Sequence, residues 1–321
     1  MAPCQGSVDG TIALSRGIPS RFASWQNGWA TYEISLSVTG ETMGTSQPSY
    51  LVQTVTTEAA RLHDFLTGLD AKTWASDSTC DGWTNEDVVT HLAGSASGWA
   101  STITRAIAGD YGPPEGQSFL APGERGSHPT GDAARASRQQ SGIELLDQFT
   151  ARHDNLRQIL EKLSDEDWDK LCFHRRGVLT VKEYLGIQVQ ELVLHGWDLR
   201  SGLDGAAELS NECLPAMVEL VPRWIRNAFA PDLELPTPVR YRFDVSSPVA
   251  VHEDLLITDN SYRVEPSATD ACDVLFRCNT GNYILLVFGR LEVTSAVASG
   301  RLSIDGPEDR AKHFNAWFKG F

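Results

Sequence analysis

Five polar residues on one otherwise apolar stretch carry the groups best suited to chemistry: Tyr184, Gln188, Glu191, His195 and Asp198. Their steps of 4, 3, 4 and 3 put them on one face of an α-helix. The surrounding positions are Leu185, Ile187, Val189, Leu192, Val193, Leu194, Trp197 and Leu199, and no Lys or Arg intervenes between Glu183 and Arg200. A helix this apolar is expected to be buried on most sides. Buried Glu, His and Asp then need partners or a metal. Glu191 and His195 are one turn apart, the spacing from which two side chains reach a single ion.

The same four-residue spacing recurs at Asp87/His91 and Asp309/His313, so spacing alone says little. For Asp87 a capping box with Thr84 is the preferred reading, and for His313 a solvated terminal helix. His91 differs, because it falls between Val88 and Leu92 and so points at least partly inward. An inward histidine is more often a hydrogen-bonded core residue than a ligand. Facing helices of a bundle, however, are where such proteins build metal sites. His91 with Glu191 and His195 offers two nitrogens and one carboxylate oxygen. That set suits Zn²⁺ and leaves a coordination position open for water or substrate.

The elements that must position these groups follow from periodicity. Leu51, Val55, Ala59, Leu62, Leu66 and Leu69 mark a first helix. After a loop carrying Trp74, Cys80, Asp81, Gly82 and Trp83, a second helix opens at Thr84 and runs through Val88, Leu92, Ala96, Trp99, Ile103 and Ile107. A Gly- and Pro-rich loop covers roughly 109–131. Ile143, Leu146, Phe149, Leu156, Leu160 and Leu163 line a third helix, and Ser164 with Asp167 caps a short turn beyond it. Thr180 and Glu183 form a second capping box and open the striped helix. Four such helices imply a four-helix bundle over 46–205.

Residues 206–321 change character. One helix is expected near 210–228, then strands at Val239–Val245, Leu255–Thr258, Tyr262–Glu265 and Cys272–Cys278. A helix at Tyr283–Phe288, the segment Ala296–Ser299, a strand at Arg301–Asp305 and a closing helix at 307–318 complete a small α+β domain. Residues 1–45 are rich in Gly, Ser and Thr without periodicity; they are expected to be a flexible tail, or to precede the true initiator at Met43.

The chain has 321 residues and a net charge of -15, with 27 basic against 42 acidic residues and no basic run. That argues against nucleic acid and anionic membranes as partners. No apolar run reaches transmembrane length, and the N-terminus lacks a signal-peptide core. The six cysteines, Cys4, Cys80, Cys172, Cys213, Cys272 and Cys278, are scattered without a C-x-x-C pair, as expected of reduced thiols in a cytoplasmic protein.

Two motifs carry a resemblance. "CDGWTNEDVVTHLAG" at 80–94 and "QELVLHGWDLRSG" at 190–202 resemble the mycothiol-dependent maleylpyruvate isomerase family, which has a DinB-like metal-binding four-helix bundle. Trp83, Thr84 and His91 match its first motif; Glu191, His195 and Asp198 match its Glu-x-x-x-His-x-x-Asp pattern. The stretch "LLVFGRLEVTSAVASGRLSIDG" at 285–306 resembles the sterol-carrier-like domain that many members carry. The resemblance covers about 48–321 and implies a DinB-like bundle followed by a sterol-carrier-like α+β domain. It implies a divalent metal on His91, Glu191 and His195, and mycothiol as the thiol whose sulfur binds it. A divalent cation lowers a thiol pKa toward neutrality. The thiolate could add to an activated alkene, allow rotation and leave again, a cis–trans isomerisation; related members move the thiol onto or off a substrate.

Further residues have two readings each. Asp198 either grips the cofactor or makes a helix-end salt bridge; three residues along a helix is an awkward distance for holding the His195 imidazole. Arg290, after Gly289, either clamps a substrate carboxylate as a catalytic group or is an ordinary arginine at a helix C-terminus. Arg301 is a weaker copy of that idea. His174, Arg175 and Arg176 form a basic loop facing either an acidic cofactor or substrate, or solvent. The tryptophans are read as packing anchors.

Three functions compete: a thiol-dependent isomerase or S-transferase acting on a small electrophilic or thiol-conjugated substrate, a metal-dependent hydrolase using metal-bound water, and a lipid-binding protein with a non-catalytic metal site.

Overall fold

In the computed structural model the capping boxes start the helices they were read to start. The structure describes residues 47–120, 142–231, 233–267 and 271–319. The expectations for 1–45 and for the end of the Gly/Pro loop lie outside the described residues. Helix α1 (Pro48–Thr67) is followed by a one-turn helix α2 (Ala71–Trp74) and by α3 (Asn85–Ile107). Thr84 caps α3: its backbone N–H donates to Asp87 Oδ2 at 2.9 Å, and its Oγ1 accepts the Asp87 N–H at 3.3 Å. Then come α4 (Gly142–Leu160), a 3₁₀ turn (Asp165–Asp169), the hairpin strands β1 (Leu171–His174) and β2 (Gly177–Thr180), and α5 (Val181–Ser201), the striped helix. The Thr180 N–H donates to Glu183 Oε2 at 2.8 Å, closing the second box. Each box stabilises its helix by about 1 kcal/mol.

Helices α1, α3, α4 and α5 form the bundle: α3 packs on α4 and α5, and α1 on both of those as well. Leu62, Leu66, Val88, Leu92, Ile103, Phe149, Leu156 and Leu185 are buried between them. Ile143 was expected on the inner face but is 76 % exposed, because the buried stripe of α4 runs through Leu145, Phe149, Leu156 and Leu160 and turns Ile143 outward. Two elements were not anticipated. The loop at Trp74 contains α2, capped by Asp70, whose side chain accepts the Thr73 N–H at 2.8 Å. The loop before the striped helix is the tip of a hairpin paired from Leu171↔Thr180 to His174↔Gly177. Strand β1 shows no period-2 pattern, since the adjacent Cys172 and Phe173 are both buried. Gly177 turns the tip at φ 135°, where a side chain would be strained.

Helix α6 (Leu214–Ala228) packs against α5 and against the C-terminal part. Trp224 donates from Nε1 to the Val287 carbonyl at 2.9 Å and stacks on Phe288. The strands are β3 (Val239–Val245), β4 (Val251–Thr258), β5 (Ser261–Pro266), β6 (Val274–Cys278) and β7 (Ser303–Asp305), ordered β5-β4-β3-β6-β7. The β3–β6 pair is parallel, in the register Tyr241↔Val274 and Phe243↔Phe276, and the other pairs are antiparallel. Helices α7 (Thr280–Val287), α8 (Val293–Ala298) and α9 (Glu308–Trp317) complete the α+β part. Strand β4 starts four residues before the expected Leu255, because the inward position Glu253 is a carboxylate, buried and accepting from the Tyr283 hydroxyl, and so breaks the apolar alternation. Strand β6 starts two residues later than expected. One sheet face buries Tyr241, Phe243 and Phe276 with Phe314. On the other, Asp254 accepts from Arg240 and Arg242 at 2.7–2.9 Å. No described helix is long and apolar enough to cross a membrane.

Candidate metal centre

The capping boxes set the register of α3 and α5, and α3 lies along α5 so that His91 faces Glu191. His91 Nε2 is 2.8 Å from Glu191 Oε2, and His195 Nε2 is 3.6 Å from the same oxygen. One donor atom from each of the three lies within 4.8 Å of the others. Donors this close together could share one Zn²⁺ ion, which takes imidazole and carboxylate ligands at roughly 2.0–2.2 Å. Two imidazoles and a carboxylate suit a borderline-soft divalent ion. The side chains of Glu191 and His195 are 24 % and 16 % exposed, so the cluster is open on one side. His91 is buried, and its Nδ1 has no hydrogen-bond partner.

Trp83 sits over both histidines. Its ring is stacked on His195 at 6.3 Å between centroids, and meets His91 edge-on at 5.3 Å. These contacts restrict the imidazoles to orientations in which both Nε2 atoms face Glu191.

Behind His195 lies a second arrangement. His195 Nδ1 is 3.0 Å from Asp198 Oδ2 and donates to it. Three residues along the helix suffice after all: both side chains bend from the last turns of α5 toward the same point. Deprotonated Asp198 fixes the proton on Nδ1 and leaves Nε2 free as a ligand. Arg290 donates to Asp198 from Nε and Nη2, both at 3.0 Å, and the Cys80 thiol donates at 3.2 Å. Thus Arg290 meets a carboxylate of the protein itself. It reaches across because Gly289, at φ 71°, ends α7 in a left-handed turn and the Arg290 N–H caps Leu285 at 2.7 Å.

The electrostatics follow. Burial opposes ionisation of Glu191, but the hydrogen bond from His91 and the nearby His195 and Arg290 bring its carboxyl down to about 2. Burial likewise opposes ionisation of Asp198, and His195 with Arg290 bring it to about 2. Burial works against the Arg290 charge, and Asp198 more than offsets it. Burial, with Asp198 alongside, pushes the Cys80 thiol up to about 12, so it stays a protonated donor.

The other stripe residues do not join the cluster. Tyr184 stacks on Trp99 at 4.0 Å. Gln188 meets the buried His153, whose Nδ1 bonds to the Phe149 carbonyl at 3.0 Å. Arg301 holds the carbonyls of Gly205 and Ala207. His174, Arg175 and Arg176 form the hairpin tip. Sequence reasoning missed Cys80, because no cysteine spacing pointed to it, and it missed Trp83 as part of the site.

Residues 55–200 match the family described as mycothiol maleylpyruvate isomerase N-terminal domain, and residues 238–319 match the SCP-2 sterol transfer family. The chain is thus similar to an isomerase-type N-terminal domain over 55–200 and to an SCP-2 domain over 238–319. Among solved structures, a mycothiol-dependent maleylpyruvate isomerase aligns over 82 % of this chain and 95 % of its own, with 14 % identity and a TM-score of 0.56. A histidine-to-alanine mutant of that isomerase aligns over the same shares, with 13 % identity and a TM-score of 0.55. YfiT from Bacillus subtilis, described as a probable metal-dependent hydrolase, aligns over 52 % of this chain and 93 % of its own, with 18 % identity and a TM-score of 0.39. No curated protein matches. At these identities the likeness is one of fold: residues 55–200 contain the helices that carry His91, Glu191 and His195, and the SCP-2-type region carries Arg290.

Proposed function

We propose that this chain is a metal- and mycothiol-dependent enzyme, a cis–trans isomerase of the maleylpyruvate isomerase type or a thiol S-transferase. Its bundle (46–205) would hold the metal, and its α+β part (206–321) would close the site. The single observation that carries the reading is the convergence of His91, Glu191 and His195 on one partly open point, with Arg290 brought beside it from the SCP-2 domain.

His91 Nε2, Glu191 Oε2 and His195 Nε2 would hold the ion, most readily Zn²⁺. Such an ion, once bound with the thiol, supplies a thiolate nucleophile at neutral pH. The protein's own residues do the rest. Asp198 keeps the His195 proton on Nδ1, so that Nε2 presents its lone pair. Arg290 holds Asp198 ionised and in place. Trp83 covers the histidine pair and keeps water from that side. The open side admits a small electrophilic or thiol-conjugated substrate.

The test is turnover of zinc-loaded protein with maleyl-type alkenes and with mycothiol conjugates, with and without thiol. Activity is expected only with thiol, and should be lost in Glu191→Ala and His91→Ala. Full turnover of a hydrolysable substrate in thiol-free buffer would replace the proposal with a hydrolase that uses metal-bound water.

A further inference from the structure

Helix α5 is buried on most sides, yet Glu183, Ile187, Glu191 and His195 keep access to solvent at four-residue intervals. They form an open strip along one face of the helix. The metal-type donors occupy its C-terminal end. Its N-terminal end is flanked on two sides. Helix α6 crosses α5 where Leu220 lies close against Gly186: a Cβ there would come 3.1 Å from Leu220 Cδ2. Arg223 follows Leu220 by three residues, on the same face of α6. On the other side the β1–β2 hairpin brings His174 to Tyr184, with ring centroids 6.4 Å apart.

Both flanking groups are donors. Among the described residues the half-buried Arg223 makes no hydrogen bond or close ion pair; Glu183 acts on it only at longer range. Glu183 is itself engaged as a cap, accepting from Thr180 N–H at 2.8 Å and Oγ1 at 3.0 Å. Lys182 lies on the same turn and faces Glu219 on α6. His174 Nδ1 accepts the Arg176 N–H at 3.2 Å, which puts the ring proton on Nε2. Burial first, and then the charges of Arg223, Arg176 and Arg175, hold its pKa down to about 4 against the opposing charge of Glu191. It is therefore a neutral N–H donor amid guanidinium charge, on a chain of net charge -15.

We propose that Arg223 and His174, backed by Arg175 and Arg176, form a recognition site for a carboxylate carried at the end of the substrate remote from the metal. Tyr184, beside His174, and Glu191 are seven residues apart on α5. That is about 10 Å along the helix axis. The site therefore selects an extended acid, whose reactive carbon reaches the metal end while its carboxylate rests at the basic end. Ile187, between the two ends, gives the connecting chain an apolar floor. The inference deepens the thiol-enzyme reading and rests on it for the identity of the metal end.

The test is a binding measurement that needs neither thiol nor turnover. The full chain, zinc-loaded, is titrated calorimetrically with linear dicarboxylates from succinate to dodecanedioate, and with the monocarboxylates of matching length. Affinity should peak among the longer dicarboxylates and exceed that of the matching monocarboxylates. Arg223→Gln should weaken the best dicarboxylate roughly ten-fold, and Arg223→Lys by less, since it keeps the charge without the fork. Monocarboxylate binding and zinc content should stay unchanged in both variants. Equal dicarboxylate affinity in wild type and in the Arg223→Gln/His174→Ala double variant would overturn the proposal. So would the absence of any length dependence, which would leave the metal as the anion contact. Loss of thiol dependence in the turnover assay would instead overturn the enzyme reading, and the two failures are read separately.

Discussion

Arg290 holds Asp198 with two hydrogen bonds of 3.0 Å, and this fork ties the turn after α7 to the last turns of α5. The side chains are 11 % and 3 % exposed, so neither charge is compensated by solvent. The pair joins the SCP-2 domain to the histidine that faces Glu191.

Removing one partner leaves the other charge buried. Arg290→Ala is expected to destabilise the protein by about 3 kcal/mol, and Arg290→Lys by less, since it restores the charge but not the fork. Urea unfolding of the three proteins checks this. An Arg290→Ala variant as stable as wild type would show that solvent enters to compensate Asp198.

Asp198→Asn keeps the shape of the side chain and removes its charge. The amide no longer fixes the proton on His195 Nδ1, and zinc affinity is expected to fall roughly 10–100-fold while the fold persists. Competition with a chelator of known affinity measures it. Unchanged affinity would mean that the Trp83 stack alone orients His195.

His195→Ala removes one of three ligands. Elemental analysis should find about one zinc per chain in wild type and little in the variant, because an open three-ligand site has no spare donor. Full zinc retention in His195→Ala would sink the assignment of the centre.

His153 sets a pH dependence away from the metal. Burial, only partly offset by its bond to the Phe149 carbonyl and by Asp154, lowers its pKa from 6.5 to about 4. Above the unfolded value both states are neutral and its contribution to stability is intact. Between 6.5 and about 4 the unfolded chain takes a proton that the native ring refuses, so stability falls as pH falls. Below the native value the loss is complete, about 3 kcal/mol. Denaturant unfolding across that range should be steeper for wild type than for His153→Gln. Parallel curves would show that His153 is protonated in the native state.

The striped helix, both capping boxes, the bundle and the strand-then-helix order of the C-terminal part were legible in the sequence. Each rests on local repetition: 3.6-residue periodicity with a cap, or alternating side chains bounded by turns. The pairing of His91 with Glu191 and His195 was legible too, as three inward polar groups on apolar helices that need a common partner. The rest was decided by packing. Nothing in the spacing of Cys80 sets it against Asp198, and nothing around Arg290 says that its fork meets a carboxylate 92 positions earlier in the chain. Those contacts depend on how α3, α5 and the turn after α7 come together, which sequence periodicity does not encode. Likewise, the bareness of Arg223 and the open strip on α5 exist only because α6 and the hairpin stop short of covering that face. Local sequence sets which faces of an element are apolar; the assembled neighbours decide which of its polar groups find partners and which are left to meet a ligand.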